Sequence, residues 1–436
     1  MTVARAHAAA HPGVVALAQD LVRLPSVTAV TPDLRAPNAA ALDGLENFLT
    51  AHGATCTRQT YEGGHAKWGY PVDNLYAEWR WGTPRTHLCF MGHTDVVPPG
   101  DAALWTASPF SGHVADGWLW GRGATDMKGA VAAFASAAAR MAQGSFNDAA
   151  LSLLITADEE WAAVNGSRKV LGWMKDTGRT PTAVLVGEPS SQDVFGTHIK
   201  VGRRGSLCGT LEVTGVQGHA AYQGLFDNPN RALMLALSIL NTHRWDDGTP
   251  DTPATNFEVI ALSSGDFGAT AVVPGQARAL WNVRHTPAHT AAQIAATLEG
   301  LLKNPPAWAA VHPDAPRLAS VKLVANLDTA SRPYRSAPGA FAHTVADAVQ
   351  AVLGTRPVFD GAGGTTDGRF VHEFFPHAEI VELGVPERGG AAPGPRPADY
   401  GTKGGMHQVD ERVRVADLEH LEQCYARTVA AVLGAP

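Results

Sequence analysis

Five short stretches of this chain concentrate the side chains that hold divalent cations or move protons. Gly92-His93-Thr94-Asp95 follows the apolar run Leu88 to Met91. A residue just past the C-terminal end of a strand in an α/β sheet stands where ligands bind. His93 is therefore a candidate metal ligand, and Asp95, two residues on, can hold its other ring nitrogen and fix the tautomer. Gly121-Arg122-Gly123-Ala124-Thr125-Asp126-Met127-Lys128-Gly129 runs into an alanine-rich segment, its glycines permitting a tight backbone approach and Asp126 falling at the helix entry. Asp158-Glu159-Glu160 follows the run Leu151 to Ile155. Crowded carboxylates cost electrostatic energy unless a cation or proton offsets them. Adjacent glutamates can also divide labour, one binding metal while the other moves protons. Glu188 follows the run Ala183 to Val186, and His407 lies in Met406-His407-Gln408-Val409-Asp410-Glu411 near the other end of the chain.

Each stretch alone has an ordinary reading. His93 or His407 could be a surface histidine, Asp126 a helix cap, and the acidic triplet a solvated turn. The glycine-rich stretch does not have the spacing of a phosphate-binding loop. Taken together, two histidines and three carboxylates can form two sites of mixed nitrogen and oxygen ligands with one carboxylate shared. Such ligands suit zinc, cobalt or manganese. Two ions about 3.5–4 Å apart can activate a water and stabilise a developing oxyanion.

The elements that must carry these residues follow from periodicity. Val14, Leu17, Leu21 and Leu24 predict a helix over Gly13 to Leu24, stopped by Pro25. Ala130 to Met141 predicts another on alanine's helix propensity. The short apolar runs alternating with helical stretches predict an α/β sheet buried on both faces. Ser206 to Val213 and Ala277 to Val283 alternate like strands around a helix at Arg231 to Leu240, which predicts a separate, smaller α+β layer. After about residue 318 the α/β pattern returns with Val321 to Val324, a helix at Phe341 to Leu353, a strand at Ile380 to Leu383, and a final helix capped by Asp417 with Leu418, Leu421 and Val429 on its apolar face. A chain of 436 residues exceeds one ordinary core. The expectation is a mixed-sheet α/β catalytic domain (1–204 and 318–436) interrupted by an α+β domain (205–317). Pro386 to Gly405, with Pro393, Pro395 and Pro397, excludes helix and central strand, and a loop of that length is usually functional or mobile.

The segments MGHTDVVPPGD (91–101), GRGATDMKG (121–129), LLITADEE (153–160), VGEPSS (186–191), GRRGS (202–206), GGTTDGRF (363–370) and MHQVDERV (406–413), in this order, resemble the M20 family of metallopeptidases and amidohydrolases over nearly the whole chain. The VVPPGD, EPSS, GRRGS and TTDGRF stretches point toward its desuccinylase branch. The resemblance implies that Asp126 bridges two divalent ions, Zn2+ with Co2+ or Mn2+ as alternatives. It implies that His93 and Glu188 complete one site, that Glu160 and His407 complete the other, and that Asp95 orients His93. Glu159 would be the general base and then the acid. The resemblance further implies a homodimer built through the inserted domain, with His219 reaching across it to the oxyanion. Arg203 and Arg284 would clamp substrate carboxylates, which a guanidinium fork matches in two parallel hydrogen bonds, and Tyr222, Gly364 and Thr365 would add contacts. Thr366-Asp367 reads as structural. Three departures from relatives bear on the substrate, a small N-acyl amino acid. Thr270-Ala271 precedes Val272-Val273-Pro274 where many carry asparagine, the segment before His407 is longer, and Lys403 or Gly404 replaces an amide side chain.

Composition narrows the alternatives. A net charge of −7 argues against nucleic acid as the main partner, and no run has the apolar length to cross a bilayer. The N-terminus lacks an apolar signal core. The four cysteines, Cys56, Cys89, Cys208 and Cys424, form no CxxC pair, which argues against a disulfide framework or thiolate zinc site. Free thiols in a reducing cytoplasm are expected. An N-acyl amino acid deacylase such as an acetylornithine deacetylase, a metallocarboxypeptidase, and a non-catalytic metal-binding scaffold are the competing readings.

Overall fold

The computed structural model describes residues 13–28, 34–64, 69–388 and 403–434, so most of the Pro/Gly-rich segment before His407 lies outside the described residues. The chain divides into two units, one comprising residues up to Val201, Ser336–Asp360 and Thr366 onward, the other Gly202–Arg335 and Gly361–Thr365.

The first unit is built on an eight-stranded mixed sheet. Its strands run in the order Thr55–Tyr61, Val72–Trp81, Ala149–Thr156, Thr86–His93, Ala183–Val186, Glu379–Glu382, His198–Lys200 and Val358–Asp360. The three strands predicted from apolar runs are central and parallel, with His93 opposite Thr156 and Met91 opposite Val186. Parallel strands end at the same edge of a sheet, so this register brings the residues after all three strands to one place. All eight residues of Ala149–Thr156 are buried, as a central strand covered on both faces requires.

The helix Gly129–Met141 is buried from Gly129 through Ala139, consistent with a helix that is apolar all round. It packs against the helices Val14–Arg23 and Val415–Leu433. Phe134 stacks on Phe90 of the central strand with ring centroids 4.3 Å apart, and Tyr425 of the last helix meets both rings edge-on. Neither predicted capping role is observed. Asp126 has non-helical backbone angles and the helix begins only at Gly129. The last helix begins at Val415, directly after the strand Arg412–Arg414, so Asp417 lies inside the first turn rather than before it.

The second unit has a four-stranded antiparallel sheet in the order Asn256–Ser264, Gln276–His285, Gly205–Thr214, Val321–Ala325. Burial alternates along Gly205–Thr214 with the two-residue period of a one-sided sheet. The helices Pro229–Asn241 and Ala291–Lys303 supply Ile239, Leu240, Ile294 and Leu298 to a core around Trp281. Thr290 and Gln293 form a reciprocal capping box at the second helix. Val321–Ala325, expected to open the returning α/β portion, instead pairs with Val213–Gly209. That pairing closes the sheet edge and carries the unit on to Arg335 instead of ending it at 317. Among the described residues no helix is long and apolar enough to cross a membrane.

Candidate metal centre

At the shared strand edge of the first unit, two groups of ligand atoms converge: His93, Asp126 and Glu188, and Asp126, Glu160 and His407. Within each group the donor atoms lie within 4.8 Å of one another. His93 Nε2 is 3.2 Å from Asp126 Oδ1 and 3.6 Å from Glu188 Oε1. His407 Nε2 is 3.3 Å from Asp126 Oδ2 and 3.1 Å from Glu160 Oε1. Ligands about 2.0–2.1 Å from a tetrahedral ion stand roughly 3.3–3.5 Å apart, so the spacing matches coordination, and the mixed imidazole and carboxylate donors fit zinc, cobalt or manganese. Asp126 offers one oxygen to each group. His93, Asp126 and Glu188 are buried, whereas the His407 side chain is 43% exposed.

The three consecutive acids diverge. Asp158 accepts hydrogen bonds from the Tyr70 hydroxyl and the backbone N–H groups of Ala163 and Asn165, at 2.9, 3.2 and 2.9 Å. Glu160 reaches His407. Glu159 stands by Arg369, whose Nη1 is 3.8 Å from its Oε1, while Nη2 is 3.3 Å from Asp367. Asp95 holds this turn, its carboxylate accepting the backbone N–H of Glu159 at 3.2 Å and of Glu160 at 3.0 Å. Its contact with His93 Nδ1 runs mainly through its backbone carbonyl at 2.8 Å, with the carboxylate at 3.6 Å.

The electrostatics are those of a cluster that demands positive charge. Burial would strip the His93 proton, but the Asp126 and Glu188 carboxylates hold its pKa well above the ordinary value. Asp126 and Glu160 raise His407 to about 11. Asp126, which burial alone would push up, is drawn below the usual carboxylate range by His407 and His93. Burial first, then Glu188 and Asp367, raise Glu159 well above its ordinary value, and burial with Asp126 raises Glu160. Glu159 is thus a carboxyl group whose environment favours holding a proton, the property a group needs to act as base and then acid near neutrality.

Two residues that sequence reasoning did not single out organise the loop carrying Asp126. Glu411 is fully buried and accepts the backbone N–H groups of Gly123, Thr125 and Asp126 at 3.0, 3.0 and 3.2 Å. Its second oxygen accepts from Arg122, whose other terminal nitrogen donates to the His407 carbonyl at 3.2 Å. Gly123 has a φ of +87° and a Cβ there would meet Val96 at 2.7 Å, so this turn requires glycine. Asp367, read from sequence as structural, also stands among the charges that raise Glu159. The sequence signal for Arg122 and Glu411 was only their presence in the stretches that also carry ligands.

The remaining predicted residues belong to the second unit. His219 lies on the short strand Gly218–His219 paired with Val272–Val273. Its Nδ1 accepts the Ala221 N–H at 3.1 Å, and its ring lies 5.2 Å from that of Tyr222, which is exposed. The Ala271 carbonyl accepts the Ala220 N–H at 2.9 Å. Arg203 is buried, and a Cβ on Gly363 would collide with its Nη1, so glycine lets the loop before Gly364 and Thr365 lie against the guanidinium. Arg284 lies within the strand Gln276–His285, opposite Ser206 and Asn256, and burial holds its pKa below the ordinary value. In the first unit, Lys403 is tied to Asp410 at 3.5 Å and to the Leu104 carbonyl at 3.2 Å.

Comparison with known proteins gives a consistent picture. The model of peptidase family M20/M25/M40 matches residues 89–431. A Rhodospirillum centenum protein named succinyl-diaminopimelate desuccinylase is 42% identical over 424 residues, covering 96% of each chain. A Cereibacter sphaeroides protein of the same name is 40% identical over 417 residues, covering 95% of this chain and 97% of that one. In fold, the chain is similar to human carnosine dipeptidase 1, with a TM-score of 0.73 at 18% identity, covering 97% of this chain and 96% of the other.

Proposed function

The chain belongs to the M20/M25/M40 peptidase family, and on that premise we propose that it is a two-metal amide hydrolase that converts N-succinyl-LL-2,6-diaminopimelate and water into succinate and LL-2,6-diaminopimelate, a step toward lysine. The observation that carries this reading is the pair of ligand groups sharing Asp126, with the proton-holding Glu159 beside them. The named activity of relatives about 40% identical over nearly the full length supports the substrate. Two divalent ions, Zn2+ in the first instance, would be held by His93, Asp126 and Glu188 and by Asp126, Glu160 and His407. When bound they lower the pKa of water and polarise the scissile carbonyl.

The chain's own groups perform the remaining steps. Glu159 takes a proton from the attacking water as its oxygen bonds to the succinyl carbonyl carbon. As the carbon–nitrogen bond breaks, Glu159 delivers that proton to the departing nitrogen, and the proton still on the water-derived oxygen is lost from the new carboxyl group, so succinate leaves as the carboxylate and the freed amine takes up a proton as the ammonium. Asp95 keeps Glu159 and Glu160 in place through their backbone N–H groups. Arg203 and Arg284 would pair with substrate carboxylates, and Tyr222, Gly364 and Thr365 would add further contacts to the substrate. A second copy of the chain docks through the second unit and supplies His219 to the oxyanion. The exposed apolar residues Ile260, Leu262 and Phe267 support that association. The four cysteines are unpaired, which supports a reducing cytoplasm.

The test is hydrolysis by zinc-loaded protein of succinyl-diaminopimelate beside acetylornithine and dipeptides. Release of succinate at a kcat/KM well above that for the other substrates is expected. Preference for acetylornithine or dipeptides would move the chain to another branch of the family.

A further inference from the structure

Arg122 and Glu411 are charged, almost fully buried, and belong to neither ligand group. Burying an ion pair is costly unless it is well hydrogen-bonded, and it contributes little net stability even then. This pair spans 289 residues of sequence. One carboxylate oxygen of Glu411 collects the N–H groups of Gly123, Thr125 and Asp126 from a single loop. The Gly121 N–H also donates to the Glu411 backbone carbonyl at 2.8 Å, and the Thr125 hydroxyl to the Arg412 carbonyl at 3.0 Å. The loop before Asp126 is thus fastened to the segment after His407 by main chain and side chain together.

Arg122 completes the link by donating to the carbonyl of His407. That residue and Asp410 are both in the left-handed region, with φ of +62° and +59°. For residues other than glycine this conformation persists only where the surroundings impose it. Asp410 is held by the Thr106 N–H at 2.6 Å and hydroxyl at 2.9 Å, and Arg122 holds the His407 end. The same ion pair therefore sets the backbone on both sides of one ligand group.

We infer that the Arg122–Glu411 pair is a positioning device that fixes the shared ligand Asp126 relative to His407, so that loss of the Glu411 carboxylate weakens both cation positions at once. The inference rests on the metal-centre reading above. Glu411 acts through Asp126 and His407 and touches no substrate.

The experiment titrates chelator-treated protein with Co2+, following visible absorption and calorimetry, for wild type, Glu411→Ala, Glu411→Gln and Arg122→Lys. Wild type is expected to take up two Co2+ per chain; uptake of none would overturn the metal-centre reading and this inference with it. Glu411→Ala is expected to weaken both positions about 10–100-fold, as loss of supporting hydrogen bonds does in metal sites, and to alter both Co2+ absorption envelopes. Glu411→Gln keeps an oxygen for the three N–H groups and is expected to recover part of the affinity. Arg122→Lys keeps the charge but loses the bond to the His407 carbonyl, and is expected to weaken the His407 position. Should Glu411→Ala not fold, the Gln and Lys variants decide the matter. With wild-type metal content but unchanged affinities and spectra in these variants, or with only one position affected in either Glu411 variant, the coupling is refuted.

Discussion

Metal binding should expel protons from this site even in mildly alkaline solution. In the metal-free protein His93 lies well above the ordinary imidazole pKa and His407 stands at about 11. The His407 ring is therefore charged from pH 6 to pH 8, with His93 shifted in the same direction, whereas ordinary imidazoles, titrating near 6.5, would be almost wholly neutral at the upper end. A ring must be neutral to ligate. The cation that captures the His407 ring thus displaces its proton, and the binding constant at that position rises roughly tenfold per pH unit, or about 100-fold from pH 6 to pH 8. The sign follows from the raised pKa: protons compete for the ring nitrogens throughout the range, so affinity falls with acidity. The assay is zinc calorimetry at pH 8 in buffers of different ionisation enthalpy, where the slope of the observed heat counts protons released. His407→Ala removes one imidazole and should lower the count by about one, while losing the ion shared by Glu160 and Asp126 in preference to the other. Equal proton release by wild type and His407→Ala at pH 8, or two tightly held ions in the variant, would refute the reasoning.

Three further predictions concern other parts of the molecule. Glu159→Gln should reduce turnover by about 10²–10⁴-fold, the range for loss of a positioned acid–base group, with two metals still measured per chain; near-normal turnover rejects the assignment. His87, held by burial at about 4 and hydrogen-bonded to Ser152 at 2.7 Å, is neutral in the fold. Its folded pKa lies below the unfolded value, so stability is lost as pH falls from about 6.5 toward 4, by roughly 3 kcal/mol. In His87→Gln the chelated protein should lose less stability by that order over this range in urea titrations, and an identical pH dependence would contradict it. If His219 acts across a dimer, mixing and re-associating Glu159→Ala and His219→Ala chains should restore roughly a quarter of wild-type activity, since half the dimers carry one complete site of two. No recovery from demonstrably mixed dimers places His219 elsewhere.

The candidate ligand set was legible because coordination restricts residue types and because an apolar run giving way to His, Asp or Glu marks the end of a buried strand. His93, Glu160 and Glu188 were found by that transition, and the parallel register of their strands explains why they meet. Arg122 and Glu411 carried no comparable local signal, since an ion pair 289 residues apart exists only once the two ends of the chain are packed together. Val321–Ala325 was recognisable as a strand, but alternation does not say which sheet a strand will join, and its partner was Gly205–Thr214. Asp417 looked like a cap because carboxylates favour helix starts; the strand running directly into Val415 moved that start.

What the sequence determined by itself was chemistry: enough imidazole and carboxylate, at strand ends, to hold two cations. What only the tertiary structure decided was direction. Asp158, Glu159 and Glu160 are consecutive and nearly identical in kind, yet one is tied to Tyr70, one stands by Arg369 and one faces His407. Side-chain direction in a non-repetitive turn depends on how its backbone is held, and here the holder is Asp95, more than sixty positions away in the chain.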